Sequence, residues 1–313
     1  MKGLAPLPFL CTSPSSCPPT VARRPSSPRP TRSRSRTPST RPSTSSASST
    51  SRRGRPVRRG GIDDEFVDRL ESEAETAVES VAETATGRRV ETAVVDGDPA
   101  ETIVNYAAEE GIDLVVMGTH GRTGLDRVVT GSTSAQVVRE STVPVVTVRD
   151  VDGTLTTEYD DVLIPTDGSP AAEVAIDHGI AVADAFDATV HAVYVVDTMA
   201  LAGGADTAVP GGGGGGGAAT GDILEPLVSS GEDATERIAE RAREEGLDAT
   251  SEVIEGSPGS SLVDYVDSAS IDFVAMGTHG RTGLDRVLLG STTERLMRHA
   301  NAPVLSVRTD EDL

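Results

Sequence analysis

From Asp160 onward the apolar positions change period in regular alternation. Val162 to Pro165 is a short continuous apolar run, and Ala171 to Ala185 carries apolar residues at three- and four-residue spacing. Thr189 to Val196 is apolar and β-branched, Glu232 to Glu245 is helical in spacing, and Ser251 to Ile254 reads as a strand. Pro258 to Ser268, Asp272 to Met276, Thr292 to Ala300 and Pro303 to Val307 continue as helix, strand, helix and strand. Strands alternating with helices of this length predict βαβ units around an open, mostly parallel, doubly wound (Rossmann-like) α/β sheet. The unbroken apolar strands agree with burial on both faces.

The first half repeats only the later part of this order. Asp64 to Thr86 has Val67, Leu70, Ala74, Val78 and Val81 at helical spacing, followed by a strand expected near Val90 to Val95. Asp98 then Pro99 signals a helix start, because an aspartate caps orphan amides and proline is tolerated at the first helical position. Leu114 to Met117, Thr133 to Glu140 and Val143 to Val148 complete a strand, a helix and a strand. Counterparts of the first strand, first helix and second strand are not visible. The expected organisation is a low-complexity, disordered segment (1–61), a truncated copy (62–150), a linker (151–159) and a complete copy (160–309).

Twelve residues occur twice, Met117 to Val128 and Met276 to Val287, both reading MGTHGRTGLDRV, and each copy leads on to Gly-Ser-Thr. Gly97 and Gly118 match Gly256 and Gly277 at one offset of 159. The repeat therefore extends to whole βαβ units.

Charge separates the N-terminal segment from the rest. Residues 1–61 contain 13 Lys and Arg and no Asp or Glu, so all 49 acidic side chains face only 15 basic ones in the remainder. Such a body argues against nucleic acid as partner, since phosphate neutralisation needs clustered cations. Its excess charge suits a halophilic, salty cytoplasm where screening moderates self-repulsion. Lys2 is the only lysine, and Cys11 and Cys17 both lie in the acid-free segment, so the body has no thiolate metal site. No apolar run approaches a membrane span. Arg23-Arg24 is followed by Pro, Ser and more Arg, unlike an export signal. A cytoplasmic protein is expected.

The acid-free segment admits three readings: a disordered tail, a basic arm, or the missing βαβ piece translated out of frame. The third has a positional argument. Shifted to the last base of each codon, Pro14 through Ala22 can be read as Val-Leu-Val-Pro-Thr-Asp-Gly-Ser, against Val-Leu-Ile-Pro-Thr-Asp-Gly-Ser at Val162 to Ser169. Ser35 through Thr50 matches Ala183 to Asp197 at the same register. Resequencing the gene decides this reading; a shifted frame without Pro-Thr-Asp-Gly-Ser ends it.

In an open parallel sheet, ligands bind beyond the carboxyl ends of the strands where strand order reverses. Pro165, Thr166 and Asp167, then Gly168-Ser169, follow the first strand of the second half. Met276 and Gly277 end the fourth and lead to Gly280 and Arg281. Asp167 offers an acceptor pair suited to ribose hydroxyls, and glycines let amides approach phosphate oxygens. Gly290, Ser291 and Thr292 open a helix whose free amides and dipole face an anion. His120 and His279 are expected to be loop residues bonding locally, Asp197 a strand-end turn residue, and Gly211 to Gly217 a flexible connection.

The spacing Gly277-x2-Gly280-x9-Gly290-Ser291, with the earlier Pro-Thr-Asp-Gly-Ser, resembles the nucleotide-binding pattern of the universal stress protein family. The second half resembles that family over almost its full length, and the first from about Ile62 to Arg149. The resemblance implies an adenine and ribose pocket near Asp167 and Val195, with Gly277, Gly280, Gly290 and Ser291 on ribose and phosphates and Arg281 nearby. Gly118, Gly121, Arg122, Gly131, Ser132 and Thr133 match an incomplete second site without its acidic partner. The resemblance also implies pairing of such domains, between chains or within one, through last strands, here Val145 to Val148 and Val304 to Val307.

GxxxxGK[ST] is absent, as are a kinase signature set and any protein-bound structural metal site. The expected activity is adenine-nucleotide binding, ATP with or without Mg, in stress response or signalling, with at most slow hydrolysis. A protein-interaction scaffold on the same fold and a nucleotidyl-transfer enzyme are the alternatives.

Overall fold

A computed structural model describes residues 9–11, 64–85, 89–119, 132–149, 158–199, 218–279 and 289–308. Two compact units result, one of residues 18–96 and one of residues 1–17 with 97–313. In the smaller unit the described regular element is α1 (Asp64–Thr84).

The larger unit runs β1 (Phe9–Cys11), α2 (Pro99–Glu109), β2 (Leu114–Gly118), α3 (Ser132–Glu140), β3 (Val145–Val148), β4 (Asp161–Thr166), α4 (Pro170–Phe186) and β5 (Thr189–Asp197). It continues with α5 (Ala218–Glu244), β6 (Ala249–Gly256), α6 (Pro258–Ser268), β7 (Phe273–Gly277), α7 (Ser291–His299) and β8 (Val304–Val307). The strands join one sheet in the order β1-β2-β3-β8-β7-β4-β5-β6. All neighbours are parallel except β3 and β8, which pair antiparallel with Val145 opposite Ser306, Val146 opposite Leu305 and Thr147 opposite Val304.

The sheet separates two layers of helices. Ala100, Val137, Leu262, Val266, Leu296 and Met297 bring α2, α3, α6 and α7 onto one face. Ala175, Ile176, Ile180, Ile238 and Ala242 bring α4 and α5 onto the other. Val162, Leu163 and Ile164 in β4 are completely buried because both faces are covered. Burying each such side chain contributes roughly 1.5–3 kcal/mol relative to exposure.

Local chemistry sets the helix ends. The Asp98 carboxylate accepts from the Ala100 and Glu101 amides at 3.1 and 3.2 Å, starting α2. Ser169 caps α4 by accepting from the Ala172 amide at 3.3 Å, and α4 stops at Asp187 in the left-handed region (φ 59°). Aspartate tolerates that conformation better than most side chains.

Three sequence expectations change. Val90 to Val95 forms no strand, whereas its counterpart β6 has all eight residues registered against β5. Phe9–Cys11, inside the segment expected to be disordered, pairs in parallel with Leu114–Val116. It fills the slot beside β2 that β4 fills beside β7, so the first half does have a short first strand. Helix α5 begins well before Glu232 and continues through Pro226, because Leu224, Leu227 and Val228 pack with Tyr194, Val196 and Val253.

Candidate functional site

Strand order reverses at β4: the chain proceeds from β4 to β5 on one side, while β7 lies on the other. At such a reversal the connecting helices leave toward opposite faces and a crevice opens at the strand ends. A cavity of about 730 Å³ lies there, lined by residues that include Pro165, Thr166 and Asp167 from β4 and its exit, Val193 to Asp197 from β5, and Met276 and Gly277 from β7. Gly290, Ser291 and Thr292 add the start of α7.

Short hydrogen bonds hold each wall. The Asp167 carboxylate accepts from the Ser169 amide at 2.9 Å and the Thr166 hydroxyl accepts from the Gly168 amide at 3.0 Å, fixing the turn into α4. Thr278 N–H donates to the Val307 carbonyl at 3.0 Å, and the Thr293 hydroxyl donates to the Gly277 carbonyl at 3.0 Å. The Gly290 amide donates to the Thr278 carbonyl at 2.9 Å, so the end of β7 and the start of α7 are tied from both sides.

Gly290 occupies the cap position of α7 without a side chain to satisfy the first-turn amides. Those amides and the positive end of the helix dipole are available to an anion in the cavity. An ideal Cβ on Gly290 would lie 3.0 Å from the Thr278 carbonyl oxygen. The glycine is therefore also a packing requirement. Ala172, Val193, Val195 and Leu262 give the cavity an apolar side, which suits a planar ring better than a charged group.

The sequence-predicted residues Pro165, Thr166, Asp167, Val195, Met276, Gly277, Gly290, Ser291 and Thr292 all line this one cavity. Gly280 and Arg281 lie outside the described residues, as do Gly121, Arg122, Gly131, His120 and the Gly211 to Gly217 run. Gly118 ends β2, and Ser132 and Thr133 open α3. His279 lines the cavity and its Nδ1 is 2.9 Å from the Thr278 hydroxyl, a local bond. Asp197, read as a turn residue, also lines the wall and accepts from the Met199 amide at 3.1 Å. The sequence reading missed the wall formed by Ser257 and Gly259 around the start of α6 and by Arg295, Arg298 and His299 on α7.

Outside the cavity, Tyr265 of α6 has its hydroxyl 3.1 Å from His191 Nδ1, whose Nε2 is 2.9 Å from Asp161. Burial, then the neighbouring Glu252 carboxylate, pushes the Tyr265 phenol up to about 12. Among the described residues no helix is long and apolar enough to cross a membrane, and no group of three or more metal-ligating side chains occurs.

Two consecutive stretches, residues 49–149 and 158–308, match the Universal stress protein family. The chain belongs to that family. A universal stress protein of Methanocaldococcus jannaschii is 37% identical over 150 residues, covering 48% of this chain and 82% of the relative. One from Mycolicibacterium smegmatis is 30% identical over 224 residues, covering 71% of this chain and 70% of its own. The crystal structure of a universal stress protein from Archaeoglobus fulgidus superposes with a TM-score of 0.54 at 21% identity, over 81% of this chain and 82% of that one, a likeness of fold. The match of both halves makes this a tandem member of the family, as the duplicated loop suggested.

Proposed function

We propose that the second half binds an adenine nucleotide, ATP with or without Mg, and holds it with little or no turnover as a module of stress response or signalling. The observation that carries this reading is the joint wall of one cavity. An acidic turn at Asp167, an apolar strand end at Val193 and Val195, and an uncapped helix start at Gly290 to Thr292 meet around about 730 Å³. Ribose hydroxyls donate to the Asp167 carboxylate. Phosphate oxygens accept from the first-turn amides of α7, where the dipole favours negative charge. The adenine ring lies against the apolar side.

Turnover requires a base, a nucleophile or a metal in reach of the phosphates, and the sequence has no P-loop lysine to withdraw charge from a leaving phosphate. Binding energy is then available for conformational or association changes. The antiparallel register of β3 with β8 supports pairing of the two halves within one chain.

Isothermal titration of the full chain with Mg-ATP tests the reading. Heat and a thermal shift at millimolar nucleotide are expected; their absence favours a scaffold whose loops are structural.

A further inference from the structure

Most arginines among the described residues are engaged: Arg139 with Glu140, Arg149 with the Arg298 carbonyl, Arg241 with Asp177, Arg243 with Glu236 and Arg298 with Glu294. Arg237 and Arg295 make no hydrogen bond, ion pair or ring contact. Arg237 is exposed on α5. Arg295 is exposed on α7 as well, but it also lines the cavity.

Its position depends on a neighbouring glycine. The methylene stem of Arg295 crosses α6 at Gly259, where an added Cβ would lie 2.7 Å from its Cδ and 3.3 Å from its Cβ. The stem of Arg295, a residue of the cavity wall, thus runs over a helix surface left bare. The internal repeat supplies the comparison: at the offset of 159, Arg295 corresponds to Gln136, Gly259 to Ala100 and Ser257 to Asp98. Relative to the first half, these three positions gain a cation, lose a carboxylate and lose the methyl group that would obstruct the cation, while Glu294 in place of Ala135 adds a carboxylate that Arg298 pairs.

Charge defines what this cation is for. The chain carries a formal net charge of -21, and Asp167, Asp197 and Glu294 share the cavity wall. A polyanionic ligand is repelled by such surroundings unless a local cation offsets them. Among the described residues the other arginine on the wall, Arg298, is committed to Glu294. Arg295 is available, and its planar fork matches phosphate oxygens.

We propose that Arg295 is the specificity-determining residue for the phosphate chain, favouring di- and triphosphates over a monophosphate. The proposal rests on the nucleotide reading above and adds what the cavity discriminates. The α7 amides hold the phosphate nearest the ribose; Arg295 engages the more distal, more highly charged part.

The test is calorimetric titration of the full chain with AMP, ADP and ATP in wild type, Arg295→Gln, Arg295→Lys and Gly259→Ala, at two salt concentrations. Arg295→Gln, which installs the side chain of the first half, is expected to weaken ATP by about tenfold, the scale of one charge-assisted hydrogen bond. AMP should weaken far less, so the ATP-to-AMP ratio falls. Arg295→Lys should recover part of the ratio, and Gly259→Ala, which forces the Arg295 stem to move, should lower it with folding retained. Equal weakening of AMP and ATP, or an unchanged ratio, overturns the proposal. If wild type binds none of the nucleotides, the nucleotide reading fails. The role of Arg295 is then decided by inorganic tripolyphosphate: a smaller thermal shift in Arg295→Gln than in wild type sustains it, and equal shifts end it.

Discussion

The backbone amide of Gly290 donates to the carbonyl of Thr278 at 2.9 Å, tying the start of α7 to the exit of β7. A Cβ at Gly290 would lie 3.0 Å from that same oxygen. Gly290→Ala must therefore push the carbonyl aside and tilt the first-turn amides. Nucleotide affinity should fall by about tenfold, with a loss of stability of about 1 kcal/mol. Gly290→Val adds bulk against backbone and should lower both affinity and Tm further. Titration calorimetry paired with thermal unfolding separates the two effects.

Asp167 holds a turn, and two substitutions separate that bond from its proposed contact with ribose. Its carboxylate holds the Ser169 amide at 2.9 Å, a bond that an asparagine oxygen can replace. Asp167→Asn should keep the turn and the Tm while weakening binding of adenosine and ATP alike, because the charged acceptor for ribose is gone. Asp167→Ala should weaken binding more and lower the Tm, since the turn loses its bond. Equal affinities for wild type and Asp167→Asn would remove ribose from the role of Asp167.

The two halves should differ in occupancy. In the first half, Phe9–Cys11 occupies the slot of β4, but the next residues in sequence are Thr12-Ser13-Pro14, where β4 ends in Pro165-Thr166 and leads to Asp167. No carboxylate stands in that position. Native mass spectrometry or calorimetric stoichiometry should give one nucleotide per chain; two would mean that an acidic partner is dispensable.

Tyr265 supplies a pH signature. Its folded pKa, about 12, lies above the ordinary 10.0. The folded state therefore favours the neutral phenol, a contribution intact below pH 10 and lost as pH rises toward about 12. Wild type should lose stability more steeply than Tyr265→Phe over that window in thermal unfolding. In an absorbance titration of phenolate, Tyr265→Phe should remove a late-ionising component.

Much of this fold is legible because apolar period carries it. Val162 to Pro165 and Asp272 to Met276 read as buried strands, and each is a strand within a residue or two. Asp98-Pro99 and Ser257-Pro258 mark helix starts at the correct residues. Legibility ends where a residue depends on partners distant in sequence. Val90 to Val95 has strand composition, but a strand needs a neighbour to bond. Phe9–Cys11 is a strand of three residues, too short for a period, yet it pairs with β2. Eight residues of the cavity wall were named from turn and glycine chemistry, and Val195 from the family resemblance. Gly259 and Arg295 were not, since their meeting follows from how α6 packs on α7.

The antiparallel seam between β3 and β8 has a consequence for inheritance. In a two-fold dimer of identical chains, every substitution appears twice and must suit both copies. Here β3 and β8 belong to a single polypeptide, so a change in one strand leaves the other untouched. Gln136 stands where its equivalent is Arg295, and Asp98 where its equivalent is Ser257. Joining both copies in one polypeptide lets equivalent positions carry different side chains, which a dimer of identical chains does not allow.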